Sequence, residues 1–369
     1  VADRLSVEPP GRTEFGAGVV AELPTFLEPL EEQRVLVVTD RGLRASGIVS
    51  RIEQILGDVE HVVHEDVGPN PTTDEVDRGA ARLREFGRAV VLAVGGGSAL
   101  DAAKGIALLA ANPQATATGL PGRPVDGFPL VAVPTTAGTG AETNGFGVVE
   151  DPRLRRKVYI GHPSVRPRTA VLDPELTLGL PRSTTASSGF DALVHGIESL
   201  ASRGANPVSQ AFATQAITML GRSLPAAHRD GTDLDARAEV LFGAHLAGHA
   251  LTLSGLGLVH GIGHALTAQA GIPHGVALAA VAQEVMAFSA AEAAHAYATT
   301  ARALGVGDAI EAVAEVCAAL DIRRPLRELG VDREALPGIA AGAAADAVTR
   351  NAPRLPRDAE VLELLASVH

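Results

Sequence analysis

The stretch AVVLAVGGGSALDAAKGIALLAA (residues 89–111) starts as an unbroken apolar run, passes through Gly95, Gly96 and Gly97, and continues in helix formers. An apolar run without polar alternation reads as a strand covered on both faces, as in a parallel sheet. The glycines let backbone approach a ligand with no Cβ in the way. Ser98 is placed to cap the following helix, with Asp101 three residues on as in a capping box. The unpaired N–H groups at that helix start suit a pyrophosphate. A plain tight turn would use the same glycines, and the pattern is neither GxGxxG nor a Walker A loop.

Working outward, RVLVVTD (34–40) and FPLVAVPTT (128–136) read as further strands. VDRGAARLREF (76–86) places Val76, Ala80, Leu83 and Phe86 at helical spacing. Strand, turn and helix thus repeat before residue 112, which predicts an open α/β nucleotide-binding domain with a parallel sheet. PTTAGTGAE (134–142) is a second loop of small residues at a strand end. Its threonines either donate to phosphate and ribose oxygens or cap a helix; ligands collect at strand ends, so the two loops support each other. Asp40, closing RVLVVT, is either a helix cap or an acceptor for a ribose diol that repels a 2′-phosphate and favours NAD over NADP.

From about residue 180 strands give way to alanine- and leucine-rich helices. The expected division is 1–178, the dinucleotide-binding α/β domain, and 179–369, an all-α metal-binding and substrate domain. The segment 170–189 reads as the linker, with serines to cap a helix from 190 to about 202. In that helix Asp191 and His195 share a face one turn apart. LVHGIGHALTAQAGIPHG (258–275) puts His260 and His264 on one face, and Gly271 and Pro273 then turn the chain so that His274 can return beside His260. Asp191, His195, His260 and His274 make a carboxylate and imidazole set without thiolates, suited to Fe, Zn or another divalent first-row metal. The Asp191–His195 pair is equally readable as a buried hydrogen bond. His245 and His249 read as structural or pocket-lining, and SGLG (254–257) separates their helix from that of His260. His162 reads as a loop histidine, Glu198 as outside the metal's contacts, Arg203 as a helix-end charge and Cys317 as a buried thiol.

Over 369 residues, 46% hydrophobic and 20% charged is a globular balance sufficient for two cores. A net charge of −12 with no basic run argues against a nucleic-acid partner. One cysteine rules out an internal disulfide framework. No secretory leader pattern opens the sequence and no apolar run has membrane length, so no membrane partner and a cytoplasmic location are expected.

Taken together, GGGSALDAAKGIAL, PTTAGTGAE, LDPELTLGLP, GFDALVHGIE, GLVHGIGHAL and GIPHGVA resemble the iron-containing, or group III, alcohol dehydrogenase family, over residues 12 to 356. The wording is nearest to its lactaldehyde (propanediol) reductase branch. The resemblance implies the fold shared with dehydroquinate synthases, with metal and NAD(H) in a cleft between the domains. It implies a homodimer that moves hydride between NAD(H) and a small aldehyde or primary alcohol, with Fe²⁺, or alternatively Zn²⁺. It assigns Asp191, His195, His260 and His274 to the metal and His264 to the catalytic histidine. It assigns Asp40, Gly95, Gly96, Gly97, Ser98, Asp101, Thr135, Thr136 and Thr139 to the cofactor. Phe146 and Leu251 fall at substrate-pocket positions but differ from the residues expected for a small diol. The alternatives are a maleylacetate-type reductase, a phosphonoacetaldehyde reductase using Arg153, Arg155, Arg156, Lys157 or Arg203, and a dehydroquinate-synthase-like cyclase.

Overall fold

The computed structural model describes residues 7, 11–30, 32–119, 124–153 and 156–369. Among these, the strands are β1 (Arg12–Phe15), β2 (Arg34–Val38), β3 (Glu60–His64), β4 (Val90–Gly95), β5 (Leu130–Pro134), β6 (Phe146–Asp151), β7 (Arg156–Gly161) and β8 (Thr169–Leu172). Six of them form one sheet, in the order β1-β8-β5-β4-β2-β3, with every pairing parallel. β6 and β7 form a separate antiparallel hairpin.

The apolar runs explain the sheet's position. Leu36, Val38, Val91, Ala93, Leu130 and Ala132 point into one core, while Val35, Val37, Val90, Leu92, Val131 and Val133 point into another. Period-two alternation thus splits each central strand between two covered faces. Full burial of each Val or Leu contributes about 1.5–3 kcal/mol. The covering helices are α1 (Leu23–Leu27), α2 (Arg41–Ser46), α3 (Ile48–Leu56), α4 (Thr73–Phe86) and α5 (Gly97–Ala111). Thr72 and Glu75 form a capping box that starts α4. The chain leaves β2 for β3 on one side and returns to β4 on the other, so strand order reverses between β2 and β4. Open α/β sheets bind ligands at such a point, outside the carboxyl ends of the strands. Asp40 and the glycines 95–97 lie at those two ends.

The second half contains α6 (Arg182–Ala201), α7 (Pro207–Arg229), α8 (Leu234–Ser254), α9 (Leu258–Ala270), α10 (His274–Phe288), α11 (Ala294–Leu304), α12 (Ala309–Leu320), α13 (Leu336–Ala345) and α14 (Asp358–Ser367). They share one core, in which Cys317 is buried. The break at SGLG is real: α8 and α9 meet at 104°. Among the described residues no single helix is long and apolar enough to cross a membrane, and the bent pair buries its apolar residues in the helical core. The chain therefore has a parallel-sheet domain followed by an all-helical one, as the sequence predicts. The expected division at 178/179 lies in the turn between β8 and α6.

Two local expectations are corrected. The capping box at α5 does not form: Gly96 is the N-cap, with no side-chain cap. Ser98 Oγ instead donates to the Pro69 carbonyl at 2.6 Å. The Asp101 carboxylate accepts from the Val148 N–H at 2.9 Å and from Lys104 Nζ at 3.3 Å. Tertiary partners thus displace the local cap. Likewise α6 starts at Arg182, not near 190, and the serines of the supposed linker are helical. Ser187 and Ser188 return their hydroxyls to the Thr184 carbonyl, which keeps serine compatible with helix.

Candidate metal centre and dinucleotide cleft

One turn of α6 sets Asp191 and His195 side by side, the first turn of α9 supplies His260, and α10 begins at His274. Gly271, at φ 69°, ends α9 in the left-handed conformation and lets the chain turn back. His195 Nε2 and His260 Nε2 each lie 3.3 Å from Asp191 Oδ1, and His274 Nε2 lies 3.7 Å from it. Asp191, His195 and His260 are buried and bring one donor atom each within 4.8 Å of the others. Three imidazole nitrogens facing one carboxylate oxygen exceed what a single hydrogen bond requires. An O,N,N,N donor set of this kind fits Fe²⁺ or Zn²⁺.

Glu198, two turns after Asp191, lies behind this group. Its carboxylate accepts from His260 Nδ1 at 2.6 Å and from the backbone N–H groups of Gly257, Val259 and His260 at 3.1, 2.8 and 3.3 Å. One side chain therefore caps α9 and fixes the His260 ring, turning Nε2 toward Asp191. The sequence reading places Glu198 outside the metal's contacts and does not reveal this role.

The charges follow from burial and pairing. Burial opposes a charged Asp191, yet His195 and the hydrogen bond from His260 hold it well below the usual carboxylate range. Burial lowers His195 to about 4 and His274 to about 3. Burial also works against a charged His260, but Asp191 and Glu198 together raise it to about 9.

His264, one turn beyond His260, has its Nδ1 2.9 Å from Asp346 Oδ2. Asp346 also accepts from the Val348 N–H at 3.0 Å. The His264 and His274 rings stack with centroids 5.3 Å apart. This arrangement leaves His264 Nε2 for other partners. Sequence reasoning missed Asp346, which lies 82 residues downstream.

At the switch point, a cleft of about 930 Å³ is lined by Asp40, Gly96, Ser98, Thr135 and Thr136 among others. A Cβ on Gly96 would stand 3.2 Å from Thr136 Oγ1, and one on Gly97 only 2.6 Å from Thr139 Cγ2. The two loops read separately from sequence are therefore in contact. The open N-terminus of α5 can receive an anion. Asp40 serves as the cap of α2, accepting from the Leu43 N–H at 2.9 Å, and also faces the cleft. Asp101 sits behind the glycine turn, both oxygens engaged.

His245 and His249 are joined in a buried chain: His245 Nδ1 to Glu142 Oε1 at 3.0 Å, His245 Nε2 to Thr13 Oγ1 at 3.0 Å, and His249 Nε2 to His245 Nε2 at 3.1 Å. His162 caps a short turn through the Ser164 N–H. Leu251 is buried, while Phe146 is 38% exposed. Arg153 points to solvent, with Asp74 4.0 Å away. Lys157 donates to Asn70 at 3.0 Å. Arg155 lies outside the described residues.

Comparison with known proteins agrees with this geometry. Residues 10–174 match the family described as "Iron-containing alcohol dehydrogenase", and residues 185–369 match "Fe-containing alcohol dehydrogenase family, C-terminal". The chain is 32% identical to the lactaldehyde reductase of Escherichia coli over 367 residues, covering 95% of this chain and 96% of that protein. It is 38% identical to the probable alcohol dehydrogenase EutG of Escherichia coli over 304 residues, covering 80% and 77%. The crystal structure of a 1,3-propanediol oxidoreductase superposes with a TM-score of 0.94 at 30% identity, covering 99% of this chain and 100% of that one.

Proposed function

This chain belongs to the iron-containing alcohol dehydrogenase family, and from that premise we propose how its residues divide the work. It is a metal-dependent, NAD(H)-linked oxidoreductase of small aldehydes and alcohols. The direction we assign is aldehyde reduction. The observation that carries the assignment of residues is the convergence of three imidazole Nε2 atoms on Asp191 Oδ1.

Asp191, His195, His260 and His274 would hold the metal, with Fe²⁺ the favoured ion and Zn²⁺ the alternative. Bound there, the metal supplies Lewis acidity toward the carbonyl oxygen, and the nicotinamide supplies the hydride. Glu198 keeps the His260 ring in one orientation with Nε2 free for the metal. Gly96, Gly97 and the start of α5 would hold the pyrophosphate, with Thr135, Thr136 and Thr139 as further hydroxyl partners and Asp40 as an acceptor for a ribose diol. Asp101 contributes indirectly, by tying α5 to β6. His264 is the residue that delivers the proton taken up by the product oxygen, with Asp346 holding its Nδ1 and leaving Nε2 to act. We assign the enzyme to the cytoplasm, where one buried thiol and an NAD(H)-linked reaction both belong, and expect it to work as a homodimer.

The test is to remove metal, restore Fe²⁺ anaerobically or Zn²⁺ separately, and follow NADH absorbance with a panel of short aldehydes. Metal-dependent NADH oxidation is expected, and His260→Ala should lose both metal retention and turnover. Full metal occupancy and full turnover in that variant would refute the ligand assignment.

A further inference from the structure

The paired histidines of α8 have no part in the proposed hydride transfer, yet their surroundings are those of metal ligands. His245 and His249 are both buried and lie one turn apart on the helix. His245 Nδ1 donates to Glu142 Oε1 at 3.0 Å, which leaves the Nε2 lone pair of the neutral ring on the side away from the carboxylate. A carboxylate behind an imidazole orients a metal-binding histidine and raises its basicity. His249 Nε2 lies 3.1 Å from His245 Nε2, and Thr13 Oγ1 of β1 lies 3.0 Å from the same atom. The Phe212 ring packs against His249, with centroids 5.4 Å apart.

The contact between the two imidazoles is bent. Their planes stand at 82° and their centroids only 4.5 Å apart, less than the 3.1 Å gap plus two ring radii. The rings therefore converge at an angle instead of meeting end to end, as a straight hydrogen bond between them would require. Convergence is what a shared ion needs. With metal–nitrogen bonds of about 2.0–2.1 Å, nitrogens 3.1 Å apart subtend roughly 100° at one ion, between the octahedral and tetrahedral angles. Room for further ligands lies alongside: His249 lines a cavity of about 80 Å³ together with Thr143, Thr252 and Arg166. The Thr143 and Thr252 hydroxyls donate to the Gly140 and Gly248 carbonyls, each at 2.7 Å, and so keep their lone pairs for water held on an ion.

We propose that His245 and His249 form a second metal site, in which their Nε2 atoms chelate a late first-row divalent ion, Zn²⁺ or Ni²⁺, with Thr13 Oγ1 and cavity water as oxygen ligands. Imidazole nitrogen selects this part of the series over Mg²⁺ or Ca²⁺. Burial keeps His249 neutral near neutral pH, so no proton has to leave the ring before an ion binds. The proton that lies between the two Nε2 atoms moves to His249 Nδ1 by way of cavity water, and both rings stay neutral. Glu142 supplies a negative charge behind the pair, while Arg166 on the cavity wall opposes a cation. This site should therefore bind more weakly than the Asp191 centre, where a carboxylate is itself in the donor set. Its role is structural: an ion there pins β1 and, through Glu142, the loop 134–142 onto α8.

The experiment titrates metal-stripped protein with Zn²⁺ by calorimetry, and counts bound ions by elemental analysis, in wild type, His249→Gln, Glu142→Gln and His260→Ala. Wild type should take up two Zn²⁺ per chain, the second more weakly. Glu142→Gln should weaken the second ion by about 10- to 100-fold, the effect of losing the partner behind a ligand histidine, and His249→Gln, which removes a ligand, by more than that. His260→Ala should lose the Asp191 ion and keep the one on α8, so the two sites fail separately. Anomalous scattering from Zn²⁺-soaked wild-type crystals should place a peak between His245 and His249, a readout that survives if a variant does not fold. A single Zn²⁺ per wild-type chain that His260→Ala removes would overturn the proposal. So would a second ion indifferent to His249→Gln, or a second peak elsewhere on the chain.

Discussion

Glu198 braces His260 from behind the Asp191, His195 and His260 cluster that we assign to the metal. It holds His260 Nδ1 at 2.6 Å and three backbone N–H groups, so its charge is spread over four donors. Glu198→Gln keeps the shape but lets the amide present a donor where only acceptors are wanted. Metal affinity should fall by about 10- to 100-fold, the usual effect of losing a carboxylate behind a ligand histidine. Metal titration followed by calorimetry reads this directly, and unchanged affinity would reduce Glu198 to a helix cap. His264 makes a different prediction. His264→Ala should lower kcat by about 10²- to 10⁴-fold, the range of general acid catalysis, while metal content is retained. Asp346→Asn should lower kcat less and leave the aldehyde KM nearly unchanged; intact turnover with a raised KM in either variant would make the pair a pocket wall. The histidines were legible because periodicity four places Asp191 with His195 and His260 with His264 within one helix. Glu198 and Asp346 were not, because their contacts to His260 and His264 span 62 and 82 residues, and no local pattern encodes them.

At the scale of elements, α8 clamps the loop 134–142, which we assign to the cofactor. Gly248 of α8 meets Gly140 so closely that a Cβ on Gly248 would lie 2.7 Å from the Gly140 Cα and 2.9 Å from Thr143 Cγ2. Gly140 itself is at φ 62°, where other residues are strained. Two residues on, Glu142 bonds to His245 of the same helix. Gly248→Ala must therefore displace backbone, at a cost of about 1–3 kcal/mol typical of overpacking. The loop carrying Thr135, Thr136 and Thr139 should move with it, so a lower Tm should accompany a higher Kd for NADH. A lower Tm with unaltered NADH binding would separate the clamp from the cofactor loop. The elements that sequence made legible are those with an unmixed signal. β2, β4 and β5 are continuous apolar runs, and α4 and α5 carry clear periodicity or follow the glycine turn. β1 (RTEF), β3 (EHVVH) and the hairpin mix charges with apolar residues because they lie at a sheet edge or outside the sheet, where one side is wet. The start of α6 was hidden by serines whose hydroxyls the helix itself satisfies.

Across the whole molecule, histidines held neutral by burial tie folding to pH. His249, in the chain that links α8 to β1 and the cofactor loop, is lowered from 6.5 to about 4 by burial, with His245 adding to the effect. His64, beneath α4, is also lowered by burial. In the unfolded chain both would titrate near 6.5. Between that value and the folded one, the unfolded state binds more protons, so stability rises with pH across the window and is lost as pH falls from 6.5 toward 4. Glu142, Glu198 and Asp346 are lowered despite burial, by their histidine partners. Their contribution is present above the ordinary carboxylate range and disappears as pH falls through their folded values. Both groups therefore favour neutral pH, but the histidines begin to act first. Urea unfolding from pH 7.5 to 4.5 should show stability falling already below 6.5, before carboxylates titrate. His249→Gln cannot gain that proton, and its curve should be flatter between pH 6.5 and 5 by at most about 2 kcal/mol, about 1.5 pH units at 1.36 kcal/mol per unit. The wild-type-minus-variant difference cancels His195, His260 and His274, whose protonation would also release a metal held there. Parallel curves would show that His249 takes up its proton as readily in the folded protein as in the unfolded chain, and the buried chain would then have to accommodate a cation beside His245.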